Sequence, residues 1–222
     1  MITDTMTIRS LGLKDYLFCW RAMQAFTHQR SETTADELWL LEHPPVFTQG
    51  QNGKAEHLLN PASIPVIQTD RGGQITYHGP GQLMVYTLID LKRKKIHVRE
   101  LVTLLEQSVI DLLWTYGIQA HTQREAPGVY VEADKICSIG LRIRRGCSYH
   151  GIAFNIAMDL EPFSRINPCG FATLQMTQLS TLAGPQKVQE TGSQLVTYLL
   201  KNLRYTSANY ISDKYAEPDH GN

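Results

Sequence analysis

No apolar run in this 222-residue chain approaches the roughly 20 residues that a membrane-spanning helix needs, so the sequence gives no reason to expect a membrane protein. The first ten residues have no basic segment followed by an apolar one and no small-residue cleavage site, and the expected location is therefore the cytoplasm. Net charge is also lacking. Lys plus Arg (21) equals Asp plus Glu (21), which argues against a chain dominated by nucleic-acid-binding charge. Cysteine is sparse, with Cys19, Cys137, Cys147 and Cys169 scattered and no C-x-x-C pair, so neither a zinc cage nor a disulfide framework is expected. There is no internal repeat, low-complexity tract or linker. A single domain over 1–222 follows, with a polar tail at 208–222 expected to fray.

What is present is alternation of element type. Asp15 to Gln29 carries Tyr16, Cys19, Trp20, Met23 and Phe26 at helical spacing, and Arg99 to Tyr116 carries a broad apolar face that Gly117 ends. Glu37 to His43, Val46 to Thr48, Pro65 to Thr69, Leu83 to Asp90 and Ala126 to Val131 are expected as strands. Lys135 to Arg144 and Tyr149 to Met158 are expected as a hairpin turning near Arg145-Gly146. A last helix is expected behind Thr191, which has Gln194 three residues on, the capping-box spacing. Strands joined mostly by short loops, with helices interspersed irregularly, predict an α+β layered fold.

Four features could carry chemistry. Arg71 to Gln82 holds four glycines in twelve positions between expected strands, either a plain hairpin loop or a backbone that approaches a ligand closely. It matches neither a P-loop nor a dinucleotide fingerprint. Lys135 shares parity with Cys137, Ile139, Leu141 and Ile143, so it is either a partly desolvated base or a solvated charge in the preceding turn. In the next strand His150 shares parity with Ile152, Phe154, Ile156 and Met158, while Gly151, Ala153 and Asn155 form a small-residue face. That face suits a ligand, an acyl chain or a packed helix. Cys169 lies in the turn-like Asn167-Pro168-Cys169-Gly170, where packing is not its main use, and is the nucleophile candidate. Cys19 and Cys137 fit apolar stripes. Two basic clusters, Lys92 to Lys95 and Arg142 to Arg145, are either solvated faces or patches for an acidic macromolecule.

Arg71-Gly72-Gly73 with Thr76 to Gln82 and Tyr86, Lys135-Ile136 with Ser138-Ile139-Gly140, Tyr149 to Asn155, and Pro168-Cys169-Gly170 resemble the octanoyltransferases of lipoate biosynthesis in order and spacing, from Glu37 to Leu182. Phe154 departs from the leucine more usual there. The resemblance implies the mixed sheet with packed helices of biotin and lipoate protein ligases. It also implies transfer of an octanoyl group from acyl carrier protein to a specific lysine of lipoyl domains, in 2-oxoacid dehydrogenase complexes and the glycine cleavage H protein. Cys169 would be the nucleophile and Lys135 its activator. Arg71, Gly72, Gly73, Gln74, Ile75, Thr76, Tyr77, His78, Ser138, Ile139, Gly140, Gly151, Ile152 and Ala153 would bind substrate, with His150 in support. No cofactor, metal, nucleic acid or membrane is implied. The competing expectations are an ATP-dependent lipoate or biotin protein ligase on the same fold and a non-catalytic binder of acyl carrier protein, neither of which needs Cys169.

Overall fold

Side-chain alternation along one long sheet decides which helices cover each of its faces. The computed structural model describes residues 5–124, 126–171, 173–184 and 186–212, with the backbone alone at Cys169 and Ser212. In chain order the elements are β1 (Thr5–Leu13), α1 (Tyr16–Gln29), β2 (Asp36–Glu42), β3 (Val46–Gln49), β4 (Val66–Gln68), β5 (Ile75–His78), β6 (Gln82–Leu88), α2 (Leu91–Lys94), α3 (Val98–Thr115), β7 (His121–Thr122), β8 (Gly128–Val131), β9 (Asp134–Arg144), β10 (Cys147–Asn155), α4 (Leu179–Ala183), α5 (Val188–Asn202) and β11 (Ser207–Ser212). Eight strands form a sheet in the order β11-β1-β2-β6-β10-β9-β8-β7, and β4-β3-β5 form a second, smaller one. Strand β1 runs parallel to β2 and β11, and the other ladders of the large sheet are antiparallel. This is the mixed α+β arrangement expected. Among the described residues no helix is long and apolar enough to cross a membrane.

Strand β6 is central and buried on both faces. Its Leu83 and Val85 meet Leu101, Leu105 and Val109 of α3, Leu195 and Leu199 of α5, and Ile152 and Phe154 of β10. Its Met84 and Tyr86 face the other way, toward Cys19 and Met23 of α1. Asp15 caps α1 by accepting the Phe18 N–H at 2.9 Å, which fixes Tyr16 in the first turn. Helix α1 covers part of this second face. The small sheet, packed through Phe47, Ile75 and Tyr77 on Phe163 and Ile166, forms the other side of a cavity beside it.

Three expectations need correction. Residues 207–212 do not fray: β11 pairs in parallel with β1 from Thr5↔Ser207 to Ser10↔Ser212, while 213–222 lie outside the described residues. Thr191 does not cap the last helix. That helix starts at Val188, with Lys187 as N-cap, and Thr191 is fully buried one turn inside it. His150 does not share the face of Ile152 and Phe154. Its backbone has φ of 59°, a left-handed conformation that breaks the strand's alternation and turns the ring toward the α1 side. The basic clusters are also largely occupied within the fold. Arg93 donates to Asp36 (2.6 Å), Thr34 O and Glu32 O, Lys94 to Arg204 O, and Arg145 to His28 O.

Candidate active site

The loop joining β4 to β5 lies flat on β9. Gly72 N–H donates to Leu141 O at 2.9 Å, and a Cβ at Gly140 would sit 3.3 Å from Gly72 O. Arg71 holds the loop from below: its guanidinium donates to Thr48 Oγ1, Thr48 O, Gly72 O and Gln74 O. A Cβ at Gly50 would meet Gly73 O at 2.4 Å, so glycine is required there for the loop to close. Arg71 is thus the scaffold of this loop as well as part of the cavity wall.

The cavity encloses about 510 Å³, within the range of roughly 300–1,000 Å³ usual for small-ligand sites. Of the residues expected to bind substrate, Arg71, Gly72, Gly73, Gln74, Ile75, Thr76, His78, Ser138, Ile139, Gly140, Gly151 and Ala153 line it, and so does His150. Tyr77 and Ile152 do not. Tyr77 packs between Phe47 and Phe163, and Ile152 belongs to the core under α3 and α5. Gly151 is more than a gap in the wall: a Cβ there would lie 2.1 Å from Val85 O, so the β6–β10 ladder itself demands glycine.

Sequence reasoning missed Tyr16, Met84 and Phe171 in the cavity wall and Asp70 behind it. Tyr16 had looked like an ordinary member of a core stripe. Asp70 accepts hydrogen bonds from Trp20 (2.7 Å), Gln24 (3.1 Å), Tyr149 and His150 Nε2 (2.9 Å). Burial pushes its carboxyl up, but His150, Tyr149 and Gln24 together hold it below the ordinary carboxylate range. Burial also lowers the pKa of His150 despite Asp70, which favours a neutral ring whose Nε2–H donates to the Asp70 carboxylate. His78 spans Gln82 (2.7 Å) and Thr48 (3.1 Å) and stacks on Tyr16. His43 bonds Lys14 O at 2.7 Å and Tyr86 Oη at 2.6 Å. Burial lowers both pKa values, that of His43 to about 4. This end of the cavity is therefore a neutral, hydrogen-bonded set of aromatic rings.

Lys135 stands near the start of β9 and is fully buried, which removes the solvated-turn alternative. The β8–β9 ladder shifts register between Val129↔Cys137 and Tyr130↔Lys135, a bulge that puts both Ile136 and Cys137 in the core. Lys135 Nζ donates to Pro127 O at 3.1 Å and lies 5.0 Å from the centre of the Tyr130 ring. Its backbone N–H and C=O bond Gln175 O and Thr177 N–H. The chain that follows Cys169 is thereby tied to Lys135.

Cys169 lies in a single 3-10 turn, Pro168–Gly170, closed by Gly170 N–H to Asn167 O and Phe171 N–H to Pro168 O. A Cβ at Gly170 would be 3.4 Å from His57 Nε2 and 3.5 Å from Gln74 Cγ. The turn that holds Cys169 thus abuts Gln74 and leads into Phe171, both of which line the cavity; the Cys169 side chain is outside the described residues. The other three cysteines are buried. Burial raises the pKa of Cys137 and Cys147, which suits inert packing.

Residues 15–200 match the family model of the lipoyl protein ligase A/B catalytic domain. The octanoyltransferase of Shewanella amazonensis is 59% identical over 205 residues, covering 92% of this chain and 95% of its own. That of Shewanella oneidensis is 60% identical, with 92% and 94% covered. Among solved structures, lipoate-protein ligase A bound with ATP aligns with a TM-score of 0.78 at 14% identity, covering 96% of this chain and 90% of that one. The biotin protein ligase of Aquifex aeolicus aligns with a TM-score of 0.52 at 14% identity, covering 92% and 70%. Those two likenesses concern the fold and bear out the expected ligase-like architecture. Identity near 60% over nine-tenths of the chain carries more, and by it this protein belongs to the octanoyltransferases, acyl-transferring enzymes of the lipoyl protein ligase A/B family.

Proposed function

We propose that the chain moves an octanoyl group from acyl carrier protein to a lysine of lipoyl domains through a thioester on Cys169. The acceptors are the lipoyl domains of 2-oxoacid dehydrogenase complexes and the H protein of glycine cleavage, and the reaction takes place in the cytoplasm. In the first half-reaction the Cys169 thiolate attacks the donor thioester, and the departing phosphopantetheine thiolate takes a proton from the Lys135 ammonium. In the second, the acceptor amine attacks the acyl-enzyme, its proton passes to Lys135, and the Cys169 thiolate leaves. One thioester replaces another and an amide is then formed, so no ATP is required.

The observation that carries the reading is the burial of Lys135, whose Nζ bonds the carbonyl of the cavity-wall residue Pro127, together with its main-chain tie to the segment after Cys169; the cavity itself is walled by Met84, Ile139, Ala153 and the glycine loop. A lysine is costly to bury unless its charge is used or balanced. The neutral rings of His78 and His150 shape the acyl site. Incubation with octanoyl-acyl carrier protein alone, followed by intact-mass measurement, should add one octanoyl group in the wild type and none in Cys169→Ala. Lys135→Ala should slow alkylation of Cys169 near neutral pH, and Cys19→Ala and Cys137→Ala should still transfer. Transfer by Cys169→Ala, or a need for ATP, would replace this reading with that of a ligase.

A further inference from the structure

Helix α3 buries one carboxylate in its otherwise largely apolar inner face. Glu106 is 7% exposed, and its neighbours on that face include Leu101, Leu105, Val109 and Leu112. An acid in such a place is costly unless a donor meets it. Glu106 Oε1 accepts the Gly128 N–H at 2.8 Å. The carbonyl of that same peptide unit, Pro127 O, accepts from Lys135 Nζ at 3.1 Å. One rigid amide plane therefore has the carboxylate on its N–H side and the ammonium on its C=O side.

We propose that Glu106 is a positioning residue for Lys135, acting through the Pro127–Gly128 peptide that joins them. A peptide unit polarised at its N–H becomes a better acceptor at its oxygen, since hydrogen bonds in series strengthen one another in a low-dielectric interior. The neighbouring residues keep that plane in place. Proline at 127 restricts its own φ, and Gly128 adopts φ of 144° with no Cβ to push Lys135 away. Charge points the same way: burial raises the pKa of Glu106, while Gly128 N–H and Lys135 pull it back down. Glu106 thus fixes both the direction of the Lys135 ammonium and its readiness to hold a proton. The kinetic part of the proposal rests on the reading of Lys135 as the partner of Cys169. The electrostatic part does not.

The test is an NMR titration of the full-length enzyme carrying ¹³Cε-labelled lysine, in the wild type and in Glu106→Gln, which keeps an acceptor for Gly128 but removes the charge. Lys135 should titrate lower by roughly one unit in Glu106→Gln, as expected when a nearby opposite charge is removed. With octanoyl-acyl carrier protein as donor, kcat should fall on the order of tenfold while KM stays within about twofold. An unchanged Lys135 titration would overturn the proposal and leave Glu106 as a cap for Gly128 alone. If Lys135→Ala proves active, the reading of Lys135 fails, yet the titration shift still decides the link to Glu106. Should Glu106→Gln not fold, Glu106→Asp retains the charge but draws the oxygen away from Gly128. Lys135 should again titrate lower in that variant, and an unchanged Lys135 titration there would equally overturn the proposal.

Discussion

A Cβ added at Gly128 would lie 2.3 Å from Cys137 O and 2.9 Å from Lys135 Cε, at a φ that side chains rarely adopt. Neither neighbour can give way cheaply, because one is sheet backbone and the other is a fully buried side chain. Gly128→Ala should therefore destabilise the fold by about 2–4 kcal/mol and lower kcat/KM more than tenfold, read by urea unfolding and by transfer assays at a temperature where the variant is folded. Wild-type kcat/KM in a folded Gly128→Ala would show that Lys135 tolerates a shifted support. Little of this was legible in the sequence. Lys135 had to be left open between a buried base and a solvated charge, because burial across a bulge has no local signature. Nothing in the sequence around Asp70 singles it out, because its four donors come from residues 46 to 80 positions away. The glycine loop and Cys169 did stand out, since glycines beside Arg and His, and a cysteine in a polar turn, are unusual for packing alone.

At the scale of elements, strong periodicity was legible and weak periodicity was not. Helices α1 and α3 lie within a residue of their expected spans because their apolar stripes are long and unambiguous. Strands β1 and β11 were missed, one read only for targeting signals and the other as a fraying tail; their pairing joins the two ends of the described chain. The start of α5 was misread because Thr191 and Gln194 imitate a capping box. Thr191 instead lies one turn before Leu195 on the buried stripe, and its hydroxyl has no hydrogen-bond partner among the described residues. The two placements give opposite signs. A true N-cap would lose about 1 kcal/mol in Thr191→Val, whereas an interior position with an unsatisfied hydroxyl should gain on the order of 1 kcal/mol. Urea unfolding of Thr191→Val should show the gain, and a loss would restore the cap.

Across the whole molecule, the polar end of the cavity ties stability to pH. His43, His78 and His150 are buried, and burial is the largest cause lowering the pKa of each. In the unfolded chain they take up protons as pH falls through about 6.5, while in the folded protein they stay neutral. The unfolded state then binds more protons, so stability declines as pH falls from about 7, and for His43 the decline continues to about 4, where the folded ring also charges. A shift of that size amounts to roughly 3 kcal/mol from His43 alone. Asp70 does not add to the loss in this window: its folded pKa lies below the ordinary carboxylate range, so its contribution lasts until still lower pH. Glu106 acts in the opposite direction. Its folded pKa is raised, so acidification toward about 4.5 favours the folded state at that site and offsets part of the histidine effect. The urea midpoint should therefore drop between pH 7 and pH 5. His43→Gln, which can still donate to Lys14 O and accept from Tyr86, should make that drop shallower. A midpoint independent of pH over this range, or the same slope in His43→Gln, would mean that the ring cluster opens to water in the folded state and is protonated there.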